Sequence, residues 1–94
     1  MQDDESCRQI EVEIVNPQGL HARPVMRFID IAAQFKCSIR IHKGDMSVDG
    51  KSPMEMMLLE GVQGTILKLE ARGDDAEQAL EKLAELVRDG FGEM

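Results

Sequence analysis

The stretch QIEVEIVNPQGLHARPVMRFIDIAAQF, residues 9–35, changes its hydrophobic period in the middle, and this change decides the fold. Before NPQG, apolar and charged residues alternate, which predicts a strand with one buried and one solvated face. The alternating residues are Ile10, Val12 and Ile14 against Glu11 and Glu13. After GLHARP, apolar residues fall at i, i+3, i+4 and i+7, which predicts a helix from Ala22 to Phe35. Its apolar stripe consists of Val25, Phe28, Ile29, Ala32 and Phe35.

Two later stretches return to the strand period. SIRIHKGDMSVDG, residues 38–50, predicts a β-hairpin that turns at Gly44. TILKLEA, residues 65–71, predicts a fourth strand. The side chains expected in the core are Ile39, Ile41, Met46, Val48, Leu67, Leu69 and Ala71. His42 alternates with Ile41, so we expect it to point to solvent, and we assign no role to it.

Two more helices carry their own start signals. Ser52 and Glu55 match a capping box with Pro53 at the first helical position, and this helix should end before Gly61. A second capping box is predicted at Asp74 and Glu77. The last helix has its apolar stripe at Ala76, Ala79, Leu80, Leu83 and Val87, with Arg88 and Gly90 suiting its end.

The order β-α-β-β-α-β-α predicts an α+β fold of two layers, a four-stranded antiparallel sheet with all three helices on one face. The other face should meet water through Glu11, Glu13, Arg40 and Lys68. We expect residues 9–94 to form a single domain. Residues 1–8 form a short acidic lead that we expect to be mobile.

Composition excludes several classes of function. The 94 residues carry a formal net charge of −7, and the eleven basic residues are scattered, which disfavours nucleic acids and acidic membranes as partners. No apolar run could span a bilayer, and the acidic start MQDDESC is unlike a secretory signal, so we expect a cytoplasmic protein without membrane insertion. Cys7 and Cys37 match no metal or redox spacing and should be free thiols; we expect no metal and no cofactor.

His21 lies at the start of the first helix, where the N–H groups of Ala22 and Arg23 have no intrahelical acceptors. These groups and the helix dipole favour an anion and disfavour a protonated imidazole, so His21 should be neutral and nucleophilic. Arg23 adds a planar cation that suits phosphoryl oxygens. Gly19 allows a tight turn and Leu20 should anchor the loop in the core. From these residues alone, His21 could equally be a simple helix cap and Arg23 a solvated charge.

PQGLHARP, followed by VMRF, then GKS before PMEMMLLEG and finally TILKLEARGDDAEQALEKL, resembles the HPr family of histidine-containing phosphocarrier proteins of the bacterial sugar phosphotransferase system. The similarity runs from about Ile10 to Gly90 and implies an open-faced β-sandwich. It also implies that His21 is phosphorylated on Nδ1 by enzyme I, with phosphoenolpyruvate as the original donor, and passes the group to enzyme IIA domains. Arg23 would stabilise the phosphoryl group. Such a protein is a monomeric carrier and substrate, not an enzyme; a general-base enzyme would need a carboxylate or thiol partner that no spacing predicts.

The resemblance also assigns Ser52 to the regulatory serine that HPr kinase/phosphorylase modifies in some bacteria. Pro53 and Glu55 depart from the family pattern, so Ser52 could be only a helix cap, and the partners could differ from the familiar ones. An alternative function is a regulatory binding module controlled at Ser52, or a component of a nitrogen-type phosphorelay. The expected partner surface consists of Leu20, Ala22, Pro24, Met26, Arg27, Pro53, Met54, Met57 and Leu58. The methionines suit a surface that docks several partners, but they could equally fill the core.

Overall fold

Strands and helices follow one another in the predicted order. The computed structural model describes residues 7–93. The elements are β1 (Cys7–Glu13), α1 (Ala22–Ala32), β2 (Ser38–Lys43), β3 (Met46–Asp49), α2 (Pro53–Leu58), β4 (Ile66–Arg72), α3 (Ala76–Arg88) and a single 3-10 turn (Gly90–Gly92). Strand β1 starts two residues before the predicted domain boundary; the rest of the predicted lead, residues 1–6, lies outside the described residues.

The four strands form one antiparallel sheet in the order β1-β4-β2-β3. Their alternation separates the two faces as predicted. Residues of the inner face are buried, namely Val12, Ile39, Ile41, Val48, Leu67, Leu69 and Ala71. Glu11, Glu13, Arg40 and Lys68 are exposed on the outer face. On that face His42 is partly exposed, and its Nε2 lies 2.7 Å from Oε1 of Glu70.

The helices cover the inner face. Helix α3 packs on β1 and β4, α1 contacts both other helices, and α2 contacts β3. The predicted stripe of α3 is buried, as are Val25, Phe28 and Ala32 of α1. The α+β fold class, an open-faced sandwich, is therefore confirmed. None of the helices between Cys7 and Glu93 is long and apolar enough to cross a membrane.

Helix α1 ends at Ala32, three residues before the predicted end. Gln34 N–H donates to the carbonyl of Ile31 and Phe35 N–H to that of Ala32, so the last turn tightens to i→i+3 bonding. Phe35 still packs against the core, although its backbone has left the helix. The apolar spacing therefore predicts the core position of the Phe35 side chain correctly but overestimates the length of the helix.

The predicted capping box at Asp74 and Glu77 is wrong. The N-cap of α3 is Asp75, and its carboxylate caps no N–H of that helix. Instead it accepts the backbone N–H groups of Lys36 at 2.8 Å and Cys37 at 3.0 Å. The bond from Lys36 N–H, above all, holds the pKa of Asp75 below its ordinary value. Asp75 thus ties the start of α3 to the chain entering β2.

The prediction that Met46 lies in the core is also wrong, because this side chain is 38% exposed. Met46 is the first residue of the four-residue edge strand β3, directly after the hairpin turn. Val48, two residues further into the strand, is buried.

Both cysteines are free, as expected. Cys7 is partly buried and Cys37 is buried.

Candidate functional site

The loop between β1 and α1 is held by a close approach at Gly19. The φ angle of Gly19 is +68°, and a Cβ at this position would lie 2.3 Å from the carbonyl oxygen of Gly61. That same carbonyl accepts the N–H of Leu20 at 2.7 Å, and the Leu20 side chain is buried. A residue other than glycine would have to push these two loops apart. The predicted roles of Gly19 and Leu20 therefore agree with the geometry, and together they place His21 at the surface.

His21 is the N-cap residue of α1, with extended backbone angles and no hydrogen bond from its ring to the helix. Its carbonyl accepts the N–H of Val25. Within residues 7–93, the N–H groups of Ala22 and Arg23 have no acceptor. The side chain of His21 is 36% exposed. The ring therefore does not act as a helix cap, and it stands beside two free backbone donors.

Glu93, near the chain's end, contacts the histidine ring. The Nε2 atom of His21 lies 3.0 Å from Oε2 and 3.2 Å from Oε1 of Glu93. The buried Asn16 donates from Nδ2 to Oε1 of Glu93 at 3.0 Å and to the carbonyl of Gly19 at 2.9 Å. Nδ1 of His21 has no hydrogen-bond partner in the described part of the chain. No sequence motif predicts Glu93 as a site residue.

The turn after α3 delivers Glu93 to the ring. Gly90, Phe91 and Gly92 have φ angles of +65°, +59° and +76°, so three consecutive residues are left-handed. Phe91 is completely buried, and its carbonyl accepts Nη1 of Arg27 at 3.1 Å. A left-handed phenylalanine is unfavourable on its own, so the buried ring and the arginine must hold it. A phenylalanine between two glycines just after a helix is the only signal of this turn in the sequence.

The electrostatics of Glu93 follow from these contacts. Partial desolvation raises the pKa of the Glu93 carboxyl, but hydrogen bonds from His21 and Asn16 and the charges of His21 and Arg23 lower it more. The net pKa lies below the ordinary value, so Glu93 is a carboxylate at neutral pH. It faces an open cavity of about 570 Å³. The cavity is lined by Pro17, Gln18, His21, Arg23, Arg27, Gly92 and Glu93. Two arginines and a histidine thus line a space in which an anion can bind, beside the carboxylate of Glu93.

Two members of the expected partner surface lie in the interior. Leu20 and Pro24 are buried, so they cannot contribute to an exposed surface. Leu20 anchors the loop, and Pro24 packs inward in the first turn of α1. The exposed members are Ala22, Met26, Arg27, Pro53, Met54, Met57 and Leu58. Met54 is 82% exposed, whereas the neighbouring Met56, which was not predicted at this surface, fills the core.

Ser52 begins α2 as its N-cap, and its Oγ accepts the N–H of Glu55 at 3.2 Å. The predicted capping box is present only in this direction. The carboxylate of Glu55 accepts the N–H of Asp49 at 2.9 Å, while the N–H of Ser52 donates to the carbonyl of Asp49. Ser52 is partly exposed, so its hydroxyl combines a structural contact with access from solvent.

Comparison with known proteins agrees with this fold. Residues 8–89 match the protein family described as PTS HPr component phosphorylation site. The chain is 42% identical over 82 residues to the phosphocarrier protein HPr of Neisseria meningitidis, covering 87% of this chain and 92% of that protein. It is 39% identical over 85 residues to HPr of Pseudomonas aeruginosa, covering 89% and 94% respectively. The solved structure of HPr from Thermoanaerobacter tengcongensis superposes with a TM-score of 0.89 at 40% identity, covering 93% of this chain and 98% of that one.

A sheet with three helices on one face, and a surface histidine at the start of the first helix, define the class of small phosphocarrier proteins. The chain belongs to the HPr family of the phosphotransferase system. Similarity extends to larger proteins, among them the phosphoryl donor subunit DhaM of the PEP-dependent dihydroxyacetone kinase of Klebsiella michiganensis. That protein is 35% identical over 97% of this chain, but the match covers only 19% of its own length. Within residues 7–93, no group of three His, Cys, Asp or Glu side chains could hold a metal ion.

Proposed function

We propose that His21 accepts a phosphoryl group on Nδ1 from phosphorylated enzyme I and passes it to enzyme IIA domains. One observation carries this proposal: the partly exposed ring, at a helix start with two free N–H groups, has its Nε2 engaged by Glu93 and its Nδ1 unpartnered among the described residues. The N-cap position thus supports the proposal, because a ring nitrogen with a free lone pair directly precedes two N–H groups that could bind phosphoryl oxygens.

Transfer needs little covalent chemistry from this chain. The Nδ1 lone pair forms a bond to phosphorus while the bond from phosphorus to the donor breaks, and the donor group leaves with that electron pair. The N–H groups of Ala22 and Arg23 and the guanidinium of Arg23 would stabilise the phosphoryl oxygens. Because the group then leaves to an acceptor protein, we assign the chain a role as carrier and substrate rather than enzyme.

Partners would dock around His21 on the exposed apolar side chains of α1 and α2. Met26, Met54, Met57 and Leu58 are 46%, 82%, 42% and 62% exposed. Flexible methionines can adapt to differently shaped partners, which suits a carrier that binds a donor and an acceptor in turn. Because the acceptor sets the physiological role, the acceptors to compare include a sugar-specific enzyme IIA domain, an acceptor of a nitrogen-type phosphorelay and an acceptor in a dihydroxyacetone kinase relay. We place this relay in the cytoplasm.

The test is incubation with enzyme I and phosphoenolpyruvate. The wild-type chain should gain one acid-labile, base-stable phosphoryl group, and His21→Ala should gain none. Arg23→Ala should still bind enzyme I but accept the group more slowly. His42→Ala is the matched control, because this histidine lies on the opposite face of the sheet and should have no effect. No phosphorylation of the wild-type chain, or an equal gain in His21→Ala, contradicts the proposal.

A second candidate is regulation at Ser52, favoured by the partly exposed hydroxyl directly before the apolar residues of α2. A phosphate there would add roughly two negative charges next to the proposed docking surface. Ser52→Asp preserves an N-cap acceptor and adds one negative charge, whereas Ser52→Ala removes the cap. If regulation is electrostatic, only Ser52→Asp should weaken transfer from enzyme I. Equal transfer rates in Ser52→Asp and the wild-type chain contradict it.

A further inference from the structure

Beyond the phosphoryl acceptor itself, the geometry points to Glu93 as a positioning residue that keeps the ring proton of His21 on Nε2 and so makes Nδ1 the nucleophile. This inference rests on the proposed function of His21. It is carried by the contacts of Nε2 with both carboxylate oxygens, at 3.0 and 3.2 Å. Nothing in the GLHARP motif itself would select one ring nitrogen over the other.

The selection follows from hydrogen-bond chemistry. A neutral imidazole has one N–H donor and one lone-pair nitrogen, and an ionised carboxylate can only accept. At 3.0 Å from Glu93, Nε2 must therefore hold the proton, because two facing lone pairs would repel each other. The other nitrogen, Nδ1, then keeps its lone pair directed away from Glu93. One hydrogen bond thereby fixes both the tautomer and the rotation of the ring.

Asn16 restricts the carboxylate in turn. Its Nδ2 donates to Oε1 of Glu93 and to the carbonyl of Gly19, and the residue is fully buried. The opposite orientation of the amide would place its oxygen against two acceptors, so the hydrogen-bond network assigns Nδ2 to this side. Glu93 is therefore held from the interior by Asn16 while it accepts from His21 at the surface.

The turn that carries Glu93 is built around this contact. Phe91 is left-handed and completely buried, and Nη1 of Arg27 holds its carbonyl. A Cβ on Gly92 would lie 2.7 Å from the same Nη1, so the backbone of Gly92 passes close to the arginine. Unfavourable backbone angles that are held by a buried anchor are typical of functional sites. The anchor leaves Glu93 little freedom to move away from His21.

The same arrangement suits the whole cycle of transfer. When Nδ1 forms its bond to phosphorus, the ring becomes a cation, and its Nε2 proton stays where it is. The carboxylate of Glu93 then pairs with that cation through a charge-assisted hydrogen bond. When phosphorus leaves for an acceptor, the bonding electrons return to Nδ1 and the ring is again neutral in the same tautomer. No proton has to enter or leave in either direction.

The test uses the full chain without any partner enzyme. Nitrogen-15 NMR, at a pH where the ring is neutral, should show two well separated shifts for the ring nitrogens of His21, one protonated and one not. In Glu93→Ala the two shifts should move toward each other as both tautomers become populated. Glu93→Gln conserves shape but not charge and should lie between them. Glu81→Gln, on the exposed part of α3, is the matched control and should leave the shifts unchanged.

The kinetic arm uses phosphoramidate, a small donor that phosphorylates histidine and releases ammonia. Glu93→Ala should react roughly ten-fold more slowly at Nδ1, as expected for loss of one charge-assisted hydrogen bond, and should show a larger share of phosphorylation on Nε2. Unchanged shifts and an unchanged rate in both Glu93 variants would overturn the inference. If enzyme I fails to phosphorylate the wild-type chain while the shifts respond to Glu93 as expected, the proposed function fails and the positioning role stands.

Discussion

Replacing Gly19 with alanine should distort the loop that carries His21. At a φ of +68°, a residue with a Cβ is destabilised by about 1–2 kcal/mol. The added Cβ would also lie 2.3 Å from the carbonyl oxygen of Gly61, which must retreat by roughly an ångström to reach van der Waals contact. That retreat breaks the 2.7 Å bond from Leu20 N–H, which contributes about 1 kcal/mol. We therefore expect Gly19→Ala to lower the free energy of unfolding by about 2–3 kcal/mol.

Gly44→Ala separates the two causes of this loss. Gly44 has a similar φ of +56°, but a Cβ there would meet nothing within 4 Å. This variant should therefore lose only the conformational contribution, about 1–2 kcal/mol, and so about 1 kcal/mol less than Gly19→Ala. The assay is urea unfolding followed by circular dichroism, since the chain has no tryptophan or tyrosine. Because the loop carries His21, Gly19→Ala should also accept the phosphoryl group from enzyme I more slowly. Equal destabilisation of the two variants would refute the account of the loop.

Three further outcomes are expected. Burial raises the pKa of the Cys37 thiol to about 11, so iodoacetamide at pH 8 should alkylate Cys7 and leave Cys37 unmodified until the protein is denatured, as checked by mass spectrometry. The hydrogen bond from His42 lowers the pKa of Glu70, so the stabilisation by this carboxylate is present above about pH 4.3 and is lost as the pH falls through the lower folded pKa. In Glu70→Gln the free energy of unfolding, measured with urea, should therefore fall less steeply as the pH is lowered below about 4.3. An unchanged slope in this pH range contradicts the prediction. Phe91→Ala should lower the free energy of unfolding by about 3–5 kcal/mol, and a loss below 1 kcal/mol would show that the ring is not an anchor.

The local patterns that were predicted correctly depend on neighbours in the chain. The strands through Val12 and Leu69 were predictable because each has one buried and one solvated face, which the alternation records directly. Ser52 was predictable as an N-cap because its hydroxyl oxygen accepts the N–H of Glu55, only three residues further along the chain. The end of α1 was not, because Phe35 keeps a core position after the backbone has turned. The sequence did not predict that the Asp75 carboxylate accepts hydrogen bonds from the α1–β2 connection, because the donors, Lys36 and Cys37, are 39 and 38 residues away.

The same distinction divides the candidate site. His21 and Arg23 could be singled out from the chain because a helix start leaves its N–H groups unpaired wherever it occurs. Which side chain would meet the ring could not, since Glu93 is 72 residues from His21 and reaches it only through a left-handed turn anchored by Phe91. Amino-acid order alone therefore determined the layers of the fold and the position of the candidate imidazole at the start of the first helix. Only packing between distant segments decided which nitrogen of that imidazole is engaged and which remains open, because such contacts depend on how the elements are assembled in space.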